Sequence, residues 1–118
     1  MKGVILLGHG SRDPLWRLPI EAVARRIEGR APALLVRCAY LDLDSPDLAA
    51  AAADLVAAGA RSVTVVPMFL GTGRHVRDDL PALTDGVRAS HPGVDIELRP
   101  PVGEDSRVLD LLAALASE

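Results

Sequence analysis

The sequence predicts an α/β fold with one four-stranded parallel sheet, strand order 2-1-3-4, and helices on both faces. Three observations support this prediction. Short apolar segments alternate with segments of helical spacing, glycines and prolines separate them, and the first apolar run lacks the polar alternation of a half-exposed strand. The 118 residues are expected to form a single domain, 1–118.

The first βα unit begins with the apolar run Gly3–Gly8, which we interpret as a strand buried on both faces. A glycine-rich turn follows, and a helix extends to about Gly29. Pro19 indicates that this helix either begins there or has an irregular first turn.

The second unit begins with the apolar strand Ala33–Ala39. Ser45 is a good N-cap and Pro46 a good first helical residue, so a second helix is expected there, with Gly59 just beyond its end. Its predicted apolar face consists of Leu48, Ala52, Leu55 and Val56.

The third unit begins with the strand Ser62–Phe69, and Pro67 is placed at its exit because proline interrupts a ladder in mid-strand. The loop Leu70–Arg74 leads to a helix that ends near Ser90. Its apolar positions are Leu80, Leu83 and Val87.

The fourth strand is expected at an edge, because its apolar residues alternate with Asp95 and Glu97. Prolines and Gly103 then turn the chain into a closing helix. The apolar residues that stripe this helix are Val108, Leu111, Leu112 and Leu115. In a parallel sheet of this order, ligands bind at the carboxyl ends of the strands, where strands one and three are neighbours.

Composition excludes several classes of protein. A formal net charge of -3 argues against a nucleic-acid binder, and a single cysteine, Cys38, excludes an intramolecular disulfide or a cysteine-rich zinc site. No secretory signal and no apolar run of about 20 residues is visible, so we expect a cytoplasmic protein without a membrane partner.

Two of the three histidines fall at the predicted ligand-binding edge. His9 follows strand one directly, and His75 follows strand three after a short loop, so their side chains can converge on one ion. A single loop histidine is usually an exposed or locally satisfied residue, but glycines flank both of these and would let backbone approach a ligand. His91 precedes strand four and is interpreted as a surface turn residue.

The residue type suits a site that passes a metal on. Neutral imidazole binds Co, Ni, Fe and Zn ions, and two histidines without a further strong ligand leave coordination positions open. As neutral bases, the same side chains could also accept protons.

Three segments carry a family resemblance. The sequences LLGHGSRDP (Leu6–Pro14), AYLDLDSPDL (Ala39–Leu48) and VVPMFLGTGRHVRDDLP (Val65–Pro81) resemble the short CbiX/SirB-type sirohydrochlorin chelatases, class II tetrapyrrole chelatases. The resemblance runs over nearly the whole chain, and GHGS joined to VVPxFLxxGxH and D-x-P is quite specific.

This resemblance implies a chelatase-like half-unit that inserts Co²⁺, Ni²⁺ or Fe²⁺ into sirohydrochlorin or a related tetrapyrrole without ATP. The metal is then a substrate, and no cofactor is tightly bound. His9 and His75 become the catalytic and metal-binding residues, with His9 as the base that removes pyrrole protons. The family also implies a homodimer that rebuilds the substrate cleft between subunits. The residues implied to line that cleft are Phe69, Leu70, Gly71, Thr72, Gly73 and Arg74.

Other polar residues have two interpretations each. Relatives often carry glutamate where this chain has Asp42, which either contacts substrate or caps the turn before Pro46. Ser11 either binds substrate or serves the turn. Arg12, with Arg74 and Arg77, either gathers positive charge for the carboxylates of the ring or forms a solvated surface.

Two other functions remain open from the sequence. A metal or tetrapyrrole carrier would need the same two histidines, so the sequence does not separate carriage from catalysis. A phosphoryl-transfer enzyme could use the GHGSRD turn as an anion site, but histidine phosphatases have an arginine where this chain has Gly8.

Overall fold

A computed structural model describes residues 1–118. Its sheet has four parallel strands in the order β2-β1-β3-β4, as the sequence predicts. The strands are β1 (Lys2–Gly8), β2 (Leu35–Tyr40), β3 (Ser62–Pro67) and β4 (Asp95–Leu98). The α-helices are α1 (Leu18–Arg30), α2 (Leu48–Ala57), α3 (Arg74–Ser90) and α4 (Ser106–Ala116).

The central strand is buried on both faces, which explains its unbroken apolar sequence. Ile5 and Leu7 of β1 join the larger core cluster, which α2 and α3 cover. Leu6 points to the other face and joins a smaller cluster beneath α1. Parallel pairing sets Leu7 beside Ala39 of β2 and Pro67 of β3, so three strands end close together at the carboxyl edge.

The entry to α1 is irregular, one of the two alternatives that Pro19 allowed. A short 3₁₀ helix spans Pro14–Arg17 before α1 begins at Leu18. The carboxylate of Asp13 caps it by accepting a 2.9 Å hydrogen bond from the Leu15 N–H. Asp13 therefore serves the turn.

The predicted N-terminus of α2 was wrong by a few residues. The helix begins at Leu48, and its N-cap is Asp47, whose carboxylate accepts a hydrogen bond from the Ala50 N–H at 2.8 Å. Pro46 lies in the loop instead, where its carbonyl accepts a hydrogen bond from Tyr40 N–H at 2.9 Å. The loop thus closes back on β2 before the helix can start.

One predicted apolar position of α3 does not face the core. Leu83 of α3 is 45% exposed and faces a surface cleft, whereas Thr84 is fully buried and donates its hydroxyl to the Leu80 carbonyl at 2.7 Å. That local bond satisfies the threonine, so it occupies the core position one turn after Leu80.

The closing helix forms where predicted, but its apolar stripe does not close the core. No residue of α4 is buried, and Leu111 and Leu115 are 61% and 55% exposed. The helix packs mainly against the short 3₁₀ segment Val102–Glu104 that precedes it. Within this single chain the stripe has no partner. No helix of the chain is long and apolar enough to cross a membrane.

Candidate functional site

His9 lies at the carboxyl end of β1, and its backbone is tied to the loop after β2. Its carbonyl accepts a hydrogen bond from the Asp42 N–H at 2.9 Å, and the Gly8 carbonyl accepts one from Leu41 at 3.0 Å. These bonds continue the β1–β2 ladder beyond the last paired residues. The position of His9 is therefore set by the sheet and not by a free loop.

The imidazole of His9 stacks on an aromatic ring that follows β3. The ring centroids of His9 and Phe69 are 4.2 Å apart, and their planes are tilted by 31°. Phe69 is only 3% exposed and belongs to the larger core cluster, whereas His9 is exposed. A rigid core residue thus holds an accessible imidazole at the predicted edge.

Gly10 makes the close contact between the two loops possible. Its φ is +100°, and a Cβ atom added there would overlap the carbonyl oxygen of Asp42. Gly8, Gly71 and Gly73, which also flank the two histidines, have no such φ. The space that the missing side chain of Gly10 leaves is filled by the protein's own backbone, and not by a ligand.

A cavity of about 360 Å³ opens beside His9. It contains one imidazole and the carboxylates of Asp42 and Asp79, surrounded by aliphatic side chains. Asp42 holds its own turn by accepting a 2.8 Å hydrogen bond from the Leu43 N–H, which agrees with the capping interpretation, and it also lines the cavity. The lining residues are His9, Gly10, Leu41, Asp42, Leu43, Val76, Asp79, Leu80 and Leu83.

His75 is the second residue of α3 and is exposed. It does not line the cavity beside His9, although Val76 and Asp79 of the same helix do. No cluster of three or more histidine, cysteine, aspartate or glutamate side chains is arranged to hold a metal ion. The chain alone therefore presents the two histidines on neighbouring elements of one edge without joining them in one cavity.

The loop between β3 and α3 is exposed after Phe69, apart from the half-buried Thr72. Leu70 is 68% exposed, and a Cβ atom added at Gly71 or Gly73 would meet nothing within 4 Å. These two glycines leave free space at the surface, in contrast to Gly10. The loop is anchored from below by Gly103, whose N–H donates to the Phe69 carbonyl at 2.9 Å.

Gly103 is buried and packs directly on this loop. A Cβ atom there would overlap the backbone of Leu70, so only glycine fits. The sequence showed Gly103 only as part of a turn. Its contact with a loop far away in the chain could not be predicted from local pattern.

The predicted arginines divide into two groups. Arg12 and Arg74 are exposed and form no ion pair. Arg77 lines a separate cleft with Thr72 and with Arg99, which the sequence did not single out. Ser11 accepts a 3.1 Å hydrogen bond from the Asp13 N–H, as expected for a residue that serves the turn.

Asp79 was also missed, although a signal for it was present. It lies four residues after His75, which is one helical turn, and it is the aspartate of the D-x-P pattern. Asp79 reaches the cavity because its face of α3 turns toward His9. The packing of the helix on the sheet sets this orientation, which the sequence does not reveal.

Two larger clefts lie away from His9. One, of about 660 Å³, separates α2 from α3 and shares Leu41 and Leu83 with the cavity beside His9. The other, of about 690 Å³, lies between α4 and the end of β3. The first is lined mainly by apolar side chains, whereas four charged residues line the second: Arg99, Glu104, Asp105 and Arg107. Neither combines an imidazole with two carboxylates as the cavity beside His9 does, so this combination and not size identifies the candidate site.

Comparison with known proteins gives consistent results. The CbiX family model matches residues 3–118. The chain is 30% identical over 128 residues to a sirohydrochlorin cobaltochelatase of Saccharolobus islandicus (strain L.S.2.15 / Lassen #1), covering 100% of this chain and 95% of that protein. It is 30% identical over 110 residues to the chloroplastic sirohydrochlorin ferrochelatase of Arabidopsis thaliana, covering 93% of this chain and 49% of the plant protein.

A solved structure has the same architecture. The crystal structure of a CbiX protein from Marinobacter aquaeolei VT8 superposes with a TM-score of 0.80 at 32% identity. The match covers 99% of this chain and 95% of that chain.

Proposed function

The chain belongs to the CbiX family, and from this premise we propose that it inserts a divalent metal ion into sirohydrochlorin or a related tetrapyrrole. The observation that carries the proposal is the cavity beside His9. It offers an accessible imidazole, held on Phe69, together with two carboxylates at the carboxyl edge of a parallel sheet. The chemistry of these groups suits both the metal ion and the protons that metal insertion releases.

The proposed roles follow from the balance of the reaction. A divalent ion replaces two N–H protons of the free ring, so two N–H bonds break, metal–nitrogen bonds form and two protons leave. We assign His9 and His75 to the incoming ion, and His9 to the acceptance of a ring proton. Exposure of both imidazoles keeps them accessible to an ion from solvent and to the ring.

The loop after β3 is proposed to contact the ring. Phe69 fixes its start, while the exposed Leu70 offers an apolar surface and the two free glycines leave room for close approach. Planar ligands are commonly held between apolar side chains and exposed backbone of this kind. Ser11, Arg12, Asp42, Thr72 and Arg74 complete the proposed contacts.

The metal substrate that we propose is Co²⁺, Ni²⁺ or Fe²⁺. The relatives named above are a cobaltochelatase and a ferrochelatase. Imidazole binds cobalt, nickel and iron ions, so the two histidines suit each of the three.

We further propose that the functional unit is a homodimer. The apolar stripe of α4 has no partner within the chain, with Leu109 and Leu111 51% and 61% exposed. Exposed apolar surface of this extent commonly marks an interface. The plant relative is about twice as long as the matched region, which supports a second copy in the place of its other half. A second copy could also supply the histidine that the single-chain cavity lacks.

The test is anaerobic absorbance spectroscopy of sirohydrochlorin with Co²⁺, compared among wild type, His9→Ala, His75→Ala and no enzyme. His91→Ala serves as a matched control, because His91 lies at the end of α3, away from the cavity beside His9. We expect wild type and His91→Ala to accelerate the spectral change, and the other two variants to lose the acceleration.

The same experiment distinguishes the alternative. If wild type binds metal or ring but matches the rate without enzyme, also with Ni²⁺ and Fe²⁺, catalysis is refuted. The carrier function would then replace it.

Sedimentation of wild type and of Leu111→Lys tests the proposed dimer. We expect the charged side chain of the variant to dissociate it.

A further inference from the structure

A second cleft at the carboxyl edge contains two arginines without strong partners. It has a volume of about 270 Å³ and lies between the start of α3 and the segment that leads from β4 to α4. Its polar lining consists of Thr72, Arg77, Arg99 and Glu104, and leucine and proline side chains form the rest. We call it the arginine cleft.

Neither arginine is held in a hydrogen-bonded ion pair within the chain. Arg77 forms no ion pair, and the Nε atom of Arg99 lies 3.6 Å from Glu97, too far for a hydrogen bond, with both side chains more than half exposed. Other arginines are paired closely, as in the 2.6 Å contact of Arg17 with Asp44 and the 2.7 Å contact of Arg107 with Asp105.

The walls of the cleft are built to keep the two arginines in place. Pro100 and Pro101 fix the backbone directly after Arg99, because the proline ring removes freedom about φ. The Arg99 N–H also donates to the Val65 carbonyl at 3.0 Å. Arg77 stands in the first turn of α3, where its N–H donates to Gly73 at 3.1 Å. A carboxylate entering this cleft would meet preorganised partners.

The cleft adjoins the proposed site of metal insertion. The buried Leu80 lines both spaces, with Val76 and Asp79 of α3 toward the cavity beside His9 and Arg77 and Pro81 toward the arginine cleft. The two therefore lie on neighbouring flanks of the first turns of α3. Thr72 connects the cleft to the loop that we propose to contact the ring. A ligand centred near His9 can therefore place its periphery in the arginine cleft.

We propose that Arg77 and Arg99 bind a carboxylate substituent on the rim of the tetrapyrrole and thereby orient the ring. This inference rests on the proposed function. Guanidinium groups pair with carboxylates through two parallel hydrogen bonds, and two arginines outweigh the single carboxylate of Glu104 in the cleft. The two residues are specificity-determining and do not touch the reacting nitrogens.

The test compares Arg77→Gln, Arg99→Gln and Arg61→Gln in the cobalt-insertion assay. Arg61 is an exposed arginine just before β3, at the opposite edge of the sheet, so its variant matches the change in charge. We expect the first two variants to raise KM for sirohydrochlorin at least roughly threefold with kcat little changed, because exposed charge pairs contribute modestly. The increase should shrink at high salt. Arg99→Lys should recover only part of the loss.

The possible outcomes separate this inference from the proposed function. If wild type turns over and both glutamine variants keep the wild-type KM, the arginine cleft is refuted while chelation stands. If wild type shows no turnover, the dissociation constant of metal-free sirohydrochlorin is measured instead, by following the fluorescence of the ring as protein is added. Weaker ring binding by Arg77→Gln and Arg99→Gln, but not by Arg61→Gln, then supports the cleft, and equal binding refutes it.

Discussion

Replacing Gly10 with alanine tests whether the His9 loop depends on close packing against the loop after β2. Gly10 has a φ of +100°, a conformation that residues with a Cβ atom rarely adopt. The added methyl group would also overlap the Asp42 carbonyl oxygen. Either the backbone of residue 10 or that of Asp42 must move.

The expected loss of stability combines two effects. A non-glycine residue in the left-handed region costs about 1–2 kcal/mol. Displacing the Asp42 backbone also weakens its hydrogen bond to the His9 carbonyl and the neighbouring bond from Leu41 to Gly8, each worth about 1 kcal/mol. Together these give about 2–4 kcal/mol. For a domain of this size that lowers Tm by about 10 °C or more.

Thermal unfolding and the rate of cobalt insertion would both be measured. Gly93→Ala is the matched control, because nothing lies within 4 Å of the place that its added methyl group would occupy, its φ is not positive, and it precedes β4 at the opposite edge of the sheet. We expect Gly93→Ala to unfold and to insert cobalt like wild type, while Gly10→Ala loses stability and insertion rate together. A Gly10→Ala protein with wild-type Tm and rate would refute the packing argument.

Further predictions concern charge and reactivity. Asp79→Asn should lower the insertion rate several-fold because it removes a carboxylate from the cavity beside His9, whereas Asp78→Asn, which changes a neighbouring exposed residue, should not. Equal rates for the two variants would contradict this. Burial, and to a lesser extent nearby glutamates, raise the pKa of the Cys38 thiol above 9.0, so iodoacetamide at pH 8 should modify the native protein more slowly than the urea-unfolded protein. Because the pKa of Cys38 is raised in the folded protein, its contribution to stability is present below pH 9 and is lost as the pH rises through the folded-state pKa. The free energy of unfolding, measured against pH, should therefore fall in this range for wild type, and Cys38→Ala should lack this decrease. Hydrogen bonds from the side chain and the backbone N–H of Arg107 lower the pKa of Asp105 from 3.8 to about 2. Chemical shifts of the Asp105 carboxyl should therefore titrate near pH 2 in wild type and at a higher pH in Arg107→Ala, which removes the side-chain bonds and keeps the backbone donor.

Most of the architecture could be predicted from the sequence because its strands are strongly apolar. The run Gly3–Gly8 is buried on both faces, so its hydrophobicity identifies a central strand without long-range information. The start of α2 was misjudged because Ser45 and Asp47 are both suitable N-caps. The choice depends on the Tyr40–Pro46 hydrogen bond, which only the folded loop defines.

The sequence predicted the site residues whose positions depend on sheet topology. It missed those whose positions depend on the rotation of α3 about its axis. The position of His9 at the carboxyl edge follows from the strand order alone. The rotation of α3 over the sheet decides that Asp79 lines the cavity beside His9 and that Arg77 lines the same cleft as Arg99. Gly10 and Gly71 look alike in sequence, yet one accommodates the protein's own backbone and the other leaves open space.

The contact between Gly103 and Leu70 has a consequence for the redesign of this protein. The two segments are distant in the chain, but the backbone of Leu70 occupies the space that a side chain at residue 103 would need. A loop of different length or shape taken from a relative would collide with residue 103 or lose its support. Transplanting substrate preference therefore requires exchanging residues 69–73 and 100–104 as a matched pair, and either segment exchanged alone should yield a poorly folded chimaera.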